Sequence, residues 1–154
     1  MDVAIAVCSA IFVAVLAVSA WFDPTIRALH VAEAAPYIAA AVLCLQRRRE
    51  GYALAFACGV FWLWGGAVRT TFVREGFRLL LAGDFRRADI LIAVPAALGT
   101  GGMALFALLA YARLPKKSAR DGLLFAGALV LIAIYFLAIF AAFQPRYLGI
   151  FGIH

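Results

Sequence analysis

Charge is scarce in this chain: 14% of its 154 residues are Asp, Glu, Lys or Arg, against 67% hydrophobic. Globular domains run near a quarter charged and half apolar, so composition alone excludes an ordinary soluble fold. The mean hydropathy of +1.01 points the same way. Histidine is confined to His30 and His154, and lysine to Lys116 and Lys117. A heme held between two facing histidines of one bundle is therefore disfavoured, since one of the pair would be the terminal residue. A retinal Schiff base inside a span is excluded, because both lysines fall in a connection. Cys8, Cys44 and Cys58 form no CxxC pair. That removes zinc-site and thiol-relay readings, so no metal is expected and the thiols are read as small packing groups. Gly-rich phosphate loops, GxSxG elbows and HExxH motifs are all missing, so no cofactor is implied and no catalytic signature argues for an enzyme.

What the chain has in place of charge is five nearly uncharged stretches, at 3–22, 24–45, 52–73, 90–114 and 122–143. A helix of about 20 apolar residues spans the roughly 30 Å hydrocarbon core of a bilayer. The expected fold is a single all-α domain, residues 1–154: a polytopic membrane bundle of five transmembrane helices and one short interfacial helix. Residues 1–22 are read as a retained helix and not a signal peptide, because Met1-Asp2 offers no basic n-region and the apolar run is too long.

Local signals set the connections. Asp23-Pro24 is a cap followed by a proline at the first helical position. Arg47–Gly51 turns the chain directly into the third span, and Pro115 ends the fourth. Between spans three and four, residues 71–82 read as an amphipathic helix in the interface, with Val73, Phe77, Leu80 and Leu81 on one face and Arg74, Glu75 and Arg78 on the other. Gly99-Thr100-Gly101-Gly102 offers a small-residue surface on the fourth span. The fifth span is apolar all round, a scaffold against lipid or against another subunit.

The net charge of +6 is not read as nucleic-acid binding, since the basic residues sit in short links where they set topology and meet lipid headgroups. The links at 46–51 and 113–121 together carry seven Lys/Arg. The other side carries as many, spread out and interleaved with acids. Density in short loops places those two links in the cytoplasm, the N-terminus inside and the C-terminus outside. The arginine and alanine bias suggests a bacterial cytoplasmic (inner) membrane.

The second span holds one polar stripe. Arg27, His30, Glu33 and Tyr37 share a face, and Glu33 lies ten residues past the cap, about 15 Å deep at 1.5 Å per residue. A charge there costs about 2.5–3.5 kcal/mol on insertion scales, so it must be paired, neutralised or hydrated. Pro36 frees the carbonyl of Ala32. One reading makes His30 and Glu33 a proton-handling or ligand-binding pair. The other makes Glu33 polar glue, tied to Arg27, His30 or Arg69 of the third span. Trp62 and Trp64 put aromatic surface mid-span, able to line a pocket for a quinone, a lipid or a pigment. The functional expectation is a small accessory, assembly or lipophile-binding subunit of a larger membrane complex, joined to partner subunits or to copies of itself through the fourth or fifth span. The alternatives are an intramembrane enzyme or quinone- or lipid-handling protein built on His30 and Glu33, and then a transporter or channel.

Overall fold

The computed structural model describes residues 1–152, and these form an all-α bundle. Helix α1 covers Asp2–Phe22; a 3₁₀ turn, Pro24–Ile26, leads into α2, Arg27–Leu45. Helix α3, Arg49–Leu63, continues as a π-helical turn, Trp64–Arg69, and the interfacial α4 covers Phe72–Leu81. The short α5, Ala88–Leu91, opens the fourth span, α6 is Ala93–Ala112, α7 is Ala119–Phe143, and a 3₁₀ tail, Pro145–Phe151, closes the described chain. Five of these stretches are long and apolar enough to cross a membrane: Asp2–Phe22, Pro24–Leu45, Arg49–Arg69, Ala88–Ala112 and Ala119–Phe143.

The boundaries depart from expectation where caps and breakers intervene. Asp23 caps the second span as the sequence suggests, accepting from the Thr25 amide at 3.0 Å and the Thr25 hydroxyl at 2.6 Å. Those two bonds hold its carboxyl below the usual range. The third span starts at Arg49, not at residue 52, and ends at Arg69, because Thr70 is extended at φ −125°, ψ 171°. The fourth runs Ala88–Ala112, not 90–114, and breaks near Ile92. Pro95 lacks the N–H that would bind the Leu91 carbonyl there. The fifth starts three residues early, at Ala119, because Ser118 and Asp121 form a reciprocal capping box. Arg47 takes a left-handed φ of 57°. Its amide bonds Cys44 O at 2.8 Å and the Arg48 amide bonds Leu43 O at 3.0 Å, the paired closure that turns α2 sharply into α3.

The interfacial helix forms where expected, and its apolar residues divide between a packed row and an exposed one. Val73, Gly76 and Leu79 are buried against the bundle, while Leu80 and Leu81 are exposed. The buried row includes Gly76, which hydrophobicity alone did not select. A Cβ on Gly76 would lie 3.0 Å from the Ile90 carbonyl, so the glycine lets α4 lie close on the start of the fourth span.

Lipid tails are as apolar as leucine, so these helices associate through close packing and hydrogen bonds, not through removal of apolar area from water. Helix α3 is central, touching α2, α6 and α7, while α1 packs on α2 and α6. The small residues of α6 are occupied inside the bundle: Gly99 lies against the Cys8 carbonyl of α1, and Gly59 of α3 lies against the Thr100 carbonyl. Of the two spans considered for partner contacts, α7 keeps the broader free surface, with Leu123, Val130, Leu131 and Ile134 exposed. At the core, Tyr37 stacks on Phe12 with centroids 4.3 Å apart and donates its hydroxyl to the Cys58 carbonyl at 3.2 Å. Ser9 donates to the Tyr37 carbonyl at 2.8 Å, so three helices meet on one tyrosine.

One end of the bundle is fastened by a buried carboxylate. Asp121 receives both of its oxygens' bonds from Arg49, at 2.9 and 2.8 Å. The Tyr111 hydroxyl and the Ser118 amide add bonds at 3.1 and 2.9 Å. Arg49 also donates to the Lys116 carbonyl. Arg49 thereby ties the start of α3 to the start of α7. Read from the sequence, it was only one of the topology-setting charges.

The α3–α6 contact makes a direct stability test. A methyl on Gly59 would sit 2.4 Å from the Thr100 carbonyl oxygen, a backbone atom with little freedom to retreat. Gly59→Ala is expected to destabilise the protein by about 1–3 kcal/mol, the usual cost of overpacking, despite alanine's better helix propensity. Reversible unfolding in mixed micelles measures it, and a neutral or stabilising result would mean α3 and α6 are further apart than described.

Candidate functional site

The polar stripe of α2 divides once folded. Glu33 is buried, 8% exposed. Its Oε2 bonds the Nδ1 of His30 one turn back. The other ring nitrogen, Nε2, lies 3.0 Å from the Ser19 hydroxyl on α1. With Nδ1–H given to the carboxylate, Nε2 carries a lone pair and accepts from the Ser19 O–H. The result is a continuous chain, Ser19 to His30 to Glu33, running from the end of α1 into the middle of α2.

The remaining expected members go elsewhere. Arg27 donates to the Ala20 carbonyl at 3.2 Å, satisfying the C-terminal end of α1. Arg69 donates to the Ile150 carbonyl at 2.7 Å and holds the tail. Tyr37 sits in the core, wholly buried. The structure thus brings His30 and Glu33 together, and places Arg27, Tyr37 and Arg69 apart from them. Ser19 escaped the sequence reading because it lies on another helix, with no spacing relation to His30. Its small polar side chain near the end of an apolar span was the available signal.

His30, Glu33 and Ser19 line a cavity of about 370 Å³, in the size range of small-molecule sites. Its other walls include Trp62, Phe136, Phe140 and Tyr147, with Gly65 and Gly66 of the π turn. Trp62 stands edge-on to Phe12 at 5.3 Å and belongs to this wall. Trp64 does not: it is 42% exposed, with Arg69 5.8 Å above its ring. The tail covers the site. Phe151 stacks on Phe61 at 5.7 Å and on Phe140 at 5.9 Å, and Gln144 reaches the Thr25 carbonyl at 3.3 Å. His154, the second histidine, lies outside the described residues.

Proline 36 contributes through the carbonyl it frees. Ala32 O accepts a 2.7 Å bond from the Tyr135 hydroxyl of α7. A helix read as apolar all round therefore supplies a donor for the carbonyl that Pro36 leaves without its helical partner. Comparison with known protein families, with curated proteins and with solved structures gives no match for the chain.

A double-mutant cycle tests this bond. Tyr135→Phe is expected to cost about 1 kcal/mol, because it leaves a carbonyl unpaired in a dry setting. In a Pro36→Ala background residue 36 supplies its own N–H to Ala32, and the Tyr135→Phe penalty should shrink toward zero. Equal penalties in both backgrounds would show that Tyr135 does not serve this carbonyl.

Proposed function

We propose that the protein binds an apolar small molecule with a polar head, taken from the membrane into the cavity between α1, α2, the π turn, α7 and the tail. The carrying observation is the cavity's make-up. One wall holds the hydrogen-bonding chain Ser19–His30–Glu33, the others are mainly aromatic, aliphatic or glycine with Thr70 and Asp89 at one side, and that combination suits a lipid or quinone-like ligand with a polar head. Membrane lipids are the immediate partners. A larger complex, if the chain serves as an accessory subunit, would meet it along the exposed ridge of α7. We further place it in a bacterial inner membrane, with the Arg47–Arg49 and Lys116–Lys117 links in the cytoplasm and the cavity toward the outer leaflet, on the density of basic residues in short links.

Binding is tested at Gly65. A Cβ there meets nothing within 4 Å, although the residue lines the cavity. Gly65→Leu should therefore fold normally, with an unchanged gel-filtration profile, and fill part of the site. Native mass spectrometry of the wild-type protein released from nanodiscs of bacterial lipid should show a retained lipophile, and the variant should lose most of it. Wild-type protein that emerges bare under conditions preserving annular lipid would remove the binding reading.

Orientation has its own measurement. A Lys117→Cys reporter, in a chain with Cys8, Cys44 and Cys58 replaced by alanine, should react with an impermeant maleimide only after cells are opened. Labelling of intact cells would invert the topology.

A further inference from the structure

We infer that Ser19, His30 and Glu33 form a nucleophile–base–carboxylate relay that cleaves an acyl ester of a membrane lipophile. The proposal rests on the binding reading above and names the substrate class of the same site. Three observations carry it. The Ser19 hydroxyl lies 3.0 Å from His30 Nε2, within the range a nucleophile and its general base require. The Glu33 carboxylate binds the opposite nitrogen, Nδ1, and so selects the tautomer whose Nε2 can take a proton. All three residues line one cavity whose remaining walls are mostly apolar, with Thr70 and Asp89 the further polar side chains besides the ring groups of Trp62 and Tyr147.

Alternative roles for the same atoms explain less. A serine in a helix commonly bonds the carbonyl of its own preceding turn; here its partner is an imidazole on the neighbouring helix. Polar glue would require only that Glu33 be neutralised. The two cations that could do so outright, Arg27 and Arg69, are instead bound to backbone carbonyls.

Depth selects an ester. Ser19 lies four residues before Asp23, so about 6 Å inside the span end at 1.5 Å per residue. That is among the first methylenes of the acyl tails, the part of the hydrocarbon nearest the ester linkages that join tails to headgroups. The aromatic walls accept the acyl chain. Trp62 and Tyr147 also line the cavity, so an indole N–H and a phenol O–H are the neutral donors at hand for the carbonyl oxygen.

The steps balance without a further reagent except water. Ser19 Oγ bonds the acyl carbon while His30 Nε2 takes the hydroxyl proton. The ester C–O bond then breaks and the leaving alcohol takes that proton from His30. Water attacks the acyl-serine, again giving a proton to Nε2, and the carboxylic acid departs as Ser19 regains its hydrogen. Glu33 keeps its bond to Nδ1 throughout and steadies the imidazolium.

The experiment uses the full-length protein in nanodiscs, a long-chain alkyl fluorophosphonate as covalent probe and p-nitrophenyl decanoate as ester. Peptide mapping should find the phosphonyl adduct on Ser19, and decanoate release should exceed that of empty nanodiscs. Ser19→Ala should abolish both. His30→Gln should lower ester turnover by about 10²–10⁴-fold, the usual share of a general base, and Glu33→Gln should also reduce it. Should Ser19→Ala fail to fold, adduct mapping on the wild-type chain decides alone. A lipophile that is retained with no adduct on Ser19 overturns the relay and leaves the binding reading standing. A bare protein that still forms the adduct does the reverse.

Discussion

No water is available in the hydrocarbon to satisfy a stray polar atom, and that constraint organises this bundle. Ser9 serves the Tyr37 carbonyl, Tyr37 serves Cys58, Thr100 its own helix at Ala96, and Tyr135 the carbonyl orphaned by Pro36. Among the described residues, no buried side-chain nitrogen or oxygen lacks a partner. All of these bonds but the Thr100 bond join helices that apolar packing alone would leave free to slide, so polar satisfaction and helix register are here one problem. Glu33 is the costliest member of the set, and its surroundings follow from the need to neutralise it far from any headgroup.

The two ends of the bundle solve different problems. Near Asp121 the helices are regular, closely packed across Gly51 and Gly59, and locked by Arg49. Toward the other end regular backbone gives way: the π turn at Trp64–Arg69, the extended Thr70 and the break near Ile92. Gly65, Gly66, Thr70 and Ile92 all line the cavity. Irregular backbone at membrane depth is tolerated where it is buried in protein or lines a cavity, and π turns recur at functional sites. The departures from ideal helix and the cavity therefore share one cause, with the tight end supplying the stability that the looser end lacks.

Much of this architecture was legible in the chain. Twenty-residue apolar runs identify the spans because length and hydropathy are properties of a single segment. Asp23-Pro24 and Pro115 act within a turn of themselves, so they too could be read locally. The depth of Glu33 and the orphaned Ala32 carbonyl follow from helix geometry. What could not be read was the identity of partners on other helices: Ser19 for His30, Tyr135 for Ala32, Asp121 for Arg49. Arg27 and Arg69 misled for the same reason, since a cation near a carboxylate in sequence or depth competes with every backbone carbonyl at a helix end. The π turn was invisible because Gly65-Gly66 permits it without requiring it. Hydropathy also could not select Gly76 for the packed row of the interfacial helix, because it registers apolarity and not the space available to a side chain.

The distinction between glue and site comes down to where the hydrogen bonds end. A network that serves only to hold helices together closes on itself, as at Asp121, where Arg49, Tyr111 and Ser118 use the carboxylate fully. The chain from Glu33 does not close. It passes through both nitrogens of His30 and stops at the hydroxyl of Ser19, on the wall of an apolar cavity roofed by the tail. An imidazole bound on one side by an acid and on the other by a hydroxyl is fixed in orientation, with the hydroxyl at its cavity-facing end. On the relay proposed above, a carboxylate held this deep would serve to orient the imidazole that meets the serine.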